Sequence, residues 1–167
     1  SAFTENRIGM LNRITIIFTR RHLNIESITA SESEVTGVYR YTIVIRTTLE
    51  QVQKVIAQIE KLVEVLKAFV HEEKDIVHQE IALYKIRTNS LTDSTIEKLI
   101  RENYARVLTV EKNFMVIEKT GHKPEIQKLF EELNPFGVLE FVRSGRVAVT
   151  KPMKELSAYL KELDASP

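Results

Sequence analysis

Asn6, Gly9 and Asn24 have the types and spacing to capture a small polar ligand rather than to transform one. Gly9 opens an amphipathic stretch, and its missing side chain lets a ligand approach the backbone closely. The first N–H groups of a helix lack partners inside it and carry partial positive charge, so the group suited to that place is a carboxylate. Asn6 just before the helix and Asn24 just after it flank the place with polar side chains. A plainer reading stands beside this one: Asn6 shaping a turn or capping the helix, Gly9 allowing tight packing, Asn24 starting a strand. Composition and spacing alone favour the plainer reading.

No other constellation suits catalysis. His22, His71, His78 and His122 fall in different segments without metal-ligand spacing, and each reads as a surface or strand histidine. Glu72-Glu73 and Glu131-Glu132 sit in hydrophilic runs, and the five glycines are too scattered for a phosphate-cradling loop. Tyr39-Arg40-Tyr41 faintly echoes the aromatic strand of RNA-binding domains, yet it lacks their Gly-Phe-x-Phe-Val core. The chain is therefore expected to be no enzyme, with no catalytic or metal-binding residues and no nucleic-acid partner.

The elements that would position these residues follow from periodicity. Ser1–Thr4 reads as the end of a strand, and Ile8, Leu11, Ile14, Ile17 and Phe18 mark the apolar face of a helix. Asn24–Ser33 and Val38–Thr47 read as strands around a turn at Gly37, Leu49–Leu62 as a helix, and Val63–Val70 as a strand. Strand, helix, strand, strand, helix, strand makes an antiparallel sheet with both helices on one face, the ferredoxin-like plan. Glu72-Glu73-Lys74-Asp75 is the linker, giving domains 1–74 and 75–167.

The second half repeats the plan. Glu80–Thr88 is a strand, Ser94-Thr95-Ile96-Glu97 has capping-box spacing, and the helix runs to about Asn103. Strands Arg106–Glu111 and Phe114–Lys119 follow, then a helix with Pro124 in its first turn and Asn134-Pro135-Phe136-Gly137 at its end. Val138–Val142 and Val147–Val149 are the last strands, and Pro152–Leu163 is an amphipathic tail. The fold class is α+β, two ferredoxin-like βαββαβ domains.

Composition narrows the partners. Among 167 residues, 24 Lys and Arg offset 23 Asp and Glu, so no net field draws the chain to nucleic acid or an anionic membrane. Cysteine is absent, which removes disulfides and thiolate chemistry and fits a reducing compartment. No run approaches the roughly twenty apolar residues of a membrane span, and no signal-like start is visible. A cytoplasmic protein with no membrane partner is expected.

The motif Asn-x-x-Gly-x-Leu-x-Arg-Ile from Asn6 to Ile14, followed by Phe-x-x-Arg-x-x-Asn-Ile-Glu-Ser from Phe18 to Ser27, resembles the opening of the regulatory (small) subunit of acetolactate synthase, or acetohydroxyacid synthase. The likeness continues through Tyr39–Val44, Gln58–Leu66, Gln79–Ile86 and Arg143–Arg146. It implies an N-terminal ACT domain and a C-terminal small-subunit domain in a homodimer joined through the ACT domains. It further implies that valine, or another branched-chain amino acid, binds where the two chains meet. Asn6, Gly9, Met10 and Leu11 would form one wall, and Asn24 and Ile25 of the second copy the other. The implied partner is the catalytic (large) subunit, which condenses two pyruvates, or pyruvate with 2-oxobutyrate. Thiamine diphosphate, FAD and magnesium belong to that subunit and none to this chain. The alternative is an ACT-domain amino-acid sensor regulating a different enzyme.

Overall fold

The computed structural model describes residues 1–87 and 94–151, which divide into two compact units. One comprises Ser1–Val77 with the chain from Arg146 onward, and the other His78–Gly145. The amphipathic tail expected at Pro152–Leu163, the end of the strand at Thr88 and the capping side chain of Ser94 lie outside what is described.

In the first unit, β1 (Ala2–Glu5), α1 (Met10–Arg20), β2 (Ile25–Glu32), β3 (Val38–Ile45), α2 (Leu49–Ile59) and β4 (Val65–Ala68) follow one another. The strands form a four-stranded antiparallel sheet in the order β2-β3-β1-β4, which leaves β2 at one edge. Met10, Ile14, Ile17 and Phe18 of α1 and Val55 and Ile59 of α2 pack on Ala2, Tyr41 and Ala68. Each such aliphatic side chain stabilises the fold by about 1.5–3 kcal/mol when buried. Thr48 caps α2, its hydroxyl accepting the Gln51 N–H, and Gly37 turns β2 into β3 at φ +80°. On the sheet's other face Phe3 and Val38 pack with Val35, Leu66 and Phe69.

The apolar stripe of α1 starts elsewhere than the periodicity suggested. Ile8 is fully exposed in the turn and Leu11 is 45% exposed, while Met10 takes the inward position at 1%. Gly9 is the reason: its left-handed conformation starts the helix at Met10, so Ile8 is not on the helix at all. β2 likewise begins at Ile25 and leaves Asn24 in the connection.

The second unit has the same element order: β5 (Ile76–Arg87, its first residues lying in the first unit), α3 (Ser94–Glu102), β6 (Arg106–Val110), β7 (Phe114–Gly121), α4 (Lys123–Leu133) and β8 (Val138–Arg143). The order across the sheet is β6-β7-β5-β8, again antiparallel, and β9 (Val147–Thr150) pairs with β5. Both units therefore have the ferredoxin-like arrangement. β5 starts four residues before the expected Glu80, after a short 3-10 turn at Glu73–Asp75. Along β5, buried Ala82, Tyr84 and Ile86 alternate with more exposed neighbours and face Ile96, Ile126, Leu129 and Leu133.

Tyr84 spans this core, its hydroxyl donating to the Ile126 carbonyl of α4 at 2.8 Å. Burial pushes the phenol's pKa up, so it remains a donor across the accessible pH range. Tyr84→Phe is expected to lower stability by about 0.5–1.5 kcal/mol without changing the fold. Urea denaturation checks this, and an unchanged midpoint would remove the role given to the hydroxyl.

Candidate functional site

The turn before α1 is fastened from both sides. The Asn6 N–H donates to the Gly37 carbonyl at 3.1 Å, and the Glu5 N–H donates to the Glu64 carbonyl at 2.9 Å. The Glu64 carboxylate pairs with Arg13. Its pKa is held below the usual carboxylate range, first by a backbone hydrogen bond and then by Arg13. Arg13 is thereby engaged, and Arg7 pairs with Glu5 at 3.1 Å, which leaves the backbone at the helix start to receive an anion.

Gly9 occupies the N-cap position with φ +85° and ψ 0°. No side chain caps the helix, and no acidic residue stands in its first turn. The Met10 N–H reaches back to the Arg7 carbonyl at 3.4 Å, and the Arg13 N–H closes the first turn on Gly9 at 3.1 Å. The N–H groups of Leu11 and Asn12 have no acceptor among the described residues. A Cβ on Gly9 would meet nothing within 4 Å, so the approach to these groups is open. Ile8, Leu11 and Val63 are exposed apolar side chains at this end of the unit.

The structure brings some of the expected site residues together and separates others. Asn6 and Gly9 are exposed around the helix start, with Leu11 beside them. Met10 turns its side chain into the core and offers the surface only its backbone. Asn24 is exposed beyond the far end of α1, where His22 at φ +54° and the bond from the Leu23 N–H to the Phe18 carbonyl, 3.0 Å, turn the chain. Ile25 is half-buried, paired with Ile45. An eleven-residue helix is roughly 16 Å long. Gly9 and Asn24 of one chain therefore lie at opposite ends of α1.

Sequence patterning missed one pair. His122 Nδ1 and His78 Nε2 are 3.0 Å apart, with ring centroids at 4.5 Å, although 44 residues separate them in the chain. Nothing local in the sequence signals such a long-range meeting. Among the described residues no cluster of three or more His, Cys, Asp or Glu could hold a metal ion.

Comparison with known proteins bears on both halves. A family model described as the AHAS small subunit-like ACT domain matches residues 1–67, and one described as the small subunit of acetolactate synthase matches residues 79–152. The acetolactate synthase small subunit of Bacillus subtilis is 36% identical over 159 residues, covering 95% of this chain and 92% of the relative. That of Mycobacterium leprae is 33% identical over 154 residues, covering 90% and 89%. The crystal structure of the small subunit from Thermotoga maritima superimposes with a TM-score of 0.82 at 28% identity, over 92% of this chain and 96% of that one.

The backbone at Gly9 yields its own expectation. Gly9→Ala forces a side chain into the left-handed region and is expected to cost about 1–2 kcal/mol, with no steric clash to add. Thermal unfolding measures it, and wild-type stability would show that α1 does not require this conformation.

Proposed function

Because the chain belongs to the acetolactate synthase small-subunit family, we propose that it stimulates the catalytic subunit of that enzyme and makes it sensitive to valine. The observation that carries the proposal is the start of α1: uncapped, free of acids, open at Gly9, with Asn24 at the opposite end of the same helix. A carboxylate would take the N–H groups near Gly9, Met10 and Leu11, chiefly that of Leu11. The ammonium would find acceptors in the amide oxygens of Asn6 and Asn24 and in strand carbonyls. The apolar side chain would rest against Leu11 and Ile25.

One chain cannot supply both asparagines to one ligand, and a homodimer can. β2 is an edge strand, and two such edges joined about a two-fold axis would run antiparallel and merge the sheets. The same axis reverses α1, bringing Asn24 and Ile25 of one copy toward Gly9 of the other. Each dimer then holds two equivalent sites.

Regulation follows from linkage. Valine shifts the complex between stimulating and restraining arrangements only through its preference for one, typically about 1–3 kcal/mol of coupling. The ACT domain, 1–74, would sense the amino acid, and 75–167 would help hold the catalytic subunit. Thiamine diphosphate, FAD and magnesium would reside in that subunit, with this chain non-catalytic and the complex cytoplasmic.

Acetolactate formation by the catalytic subunit, with and without this chain and each branched-chain amino acid, tests the reading. Stimulation with valine inhibition is expected; neither effect would overturn it. Gly9→Asp is expected to abolish inhibition and keep stimulation, because a fixed carboxylate repels the ligand's own. Persisting inhibition in that variant would rule out the site. Asn24→Ala is expected to weaken valine binding by calorimetry while the dimer persists, and unchanged affinity would remove Asn24 from the site.

A further inference from the structure

His78 heads the row of β5 residues, with Glu80, Ala82, Tyr84 and Ile86, that turns toward the helices of the second unit. β7 runs antiparallel beside β5 with Gly121 opposite Glu80, so the next residue, His122, returns over the same end of the sheet. His122 occupies the N-cap position of α4, and the Glu125 carboxylate accepts its backbone N–H at 2.7 Å. A strand and a helix start, each fixed by its own bonds, thus bring His78 Nε2 and His122 Nδ1 to 3.0 Å. His78 is buried and His122 exposed, so the gap between the rings has one wall in the core and the other at the surface.

In the neutral pair, the N–H of one ring donates to the lone pair of the other. When the donor ring carries its proton on its second nitrogen instead, two lone pairs face one point. Neutral imidazoles bind zinc, copper and nickel in this way. Zinc bonds imidazole nitrogen at about 2.0–2.1 Å, so two such nitrogens on a tetrahedral ion stand about 3.3 Å apart. The rings, crossed at 72° rather than stacked, need only part slightly to admit the ion. Charges around the pair offset one another: Glu80 and Lys119 are buried on the same face of the sheet, Arg143 pairs with Glu80 at 3.2 Å, and Glu125 stands in the first turn of α4. Glu80 Oε2 makes no hydrogen bond. It belongs to the residue two along β5 from His78, about 7 Å of strand, where water on a bound metal would supply the donor.

We propose that His78 and His122 together bind one divalent transition-metal ion of the zinc, copper and nickel group, with water completing its coordination. Cysteine is absent from the chain, and no third His, Asp or Glu joins the pair among the described residues, so the ion is held reversibly rather than caged. Its binding clips the start of β5 in this unit to the start of α4. The proposal is independent of the valine reading, since the start of α1 contributes nothing to the pair.

The test is calorimetric titration of the full chain, first dialysed against a chelator, with zinc chloride and in parallel with magnesium chloride. Saturable binding of one zinc ion per chain is expected, with no comparable response to magnesium. Absence of saturable zinc binding, or equal binding of magnesium, would overturn the proposal. His122→Asn keeps a side chain suited to an N-cap and is expected to weaken zinc binding by about tenfold or more. Undiminished affinity in that variant, with native circular dichroism, would also overturn it. The double variant His22→Ala, His71→Ala is expected to bind zinc as the wild type does, and loss of binding there would place the metal elsewhere and reject the pair. If His122→Asn fails to fold, the imidazole ¹⁵N resonances of the wild-type chain decide. Zinc is expected to shift those of His78 Nε2 and His122 Nδ1, and unmoved resonances would reject the site.

Discussion

The first turn of α1 presents backbone N–H groups that no other described residue satisfies, and the residues around it are engaged elsewhere. Gly9 at φ +85° starts the helix without a capping side chain. Glu64 is tied to Arg13 and to the backbone, and Glu5 to Arg7. Leaving donors open in this way costs stability that a capping side chain would have recovered, about a few tenths of a kcal/mol where the N-cap is glycine. A helix start that forgoes its cap suits a ligand carboxylate, whose binding restores the missing acceptor.

The fold supplies rigidity around that opening. Met10, Ile14, Ile17 and Phe18 anchor α1 to the sheet, so the unsatisfied end cannot drift to find another partner. The bonds from Asn6 to Gly37 and from Glu5 to Glu64 fix the preceding turn to two different loops. The second unit repeats the topology around Tyr84, Ile126 and Leu129, and its edge strand β6 is exposed along its whole length. The plan is shared, and Asn103 follows α3 as Asn24 follows α1, but the glycine that starts α1 has no counterpart in the sequence before α3.

Much of this was legible in the residues. Element order and both ferredoxin-like arrangements follow from hydrophobic periodicity, and Pro124 and Gly37 stand where their backbone preferences place them. The phase of α1 was not legible from spacing. Ile8 and Leu11 extend the stripe of Ile14 and Ile17 on a helical wheel, but only the conformation of Gly9 decides that Met10 turns inward. The Thr48 cap had a readable cue in Thr48-x-x-Gln51. The His78–His122 pair and the bond from Arg40 to Ala148 join residues distant in the chain, which no local pattern encodes. For the candidate site, the residue types were visible early. The placement of Gly9 before α1 and Asn24 after it was visible in the sequence too; the left-handed conformation of Gly9 and the eleven-residue length of the helix between them required the coordinates.

That separation gives the account its most direct test. In a dimer with composite sites, chains carrying Gly9→Asp bind no valine when paired with themselves, and chains carrying Asn24→Ala bind it only weakly. Paired with each other, they leave one site intact and the other doubly altered. Equilibrium dialysis of labelled valine on differently tagged, co-purified mixed dimers is predicted to recover half the binding of the wild-type dimer. No recovery in the mixed dimer would contradict a site shared between chains.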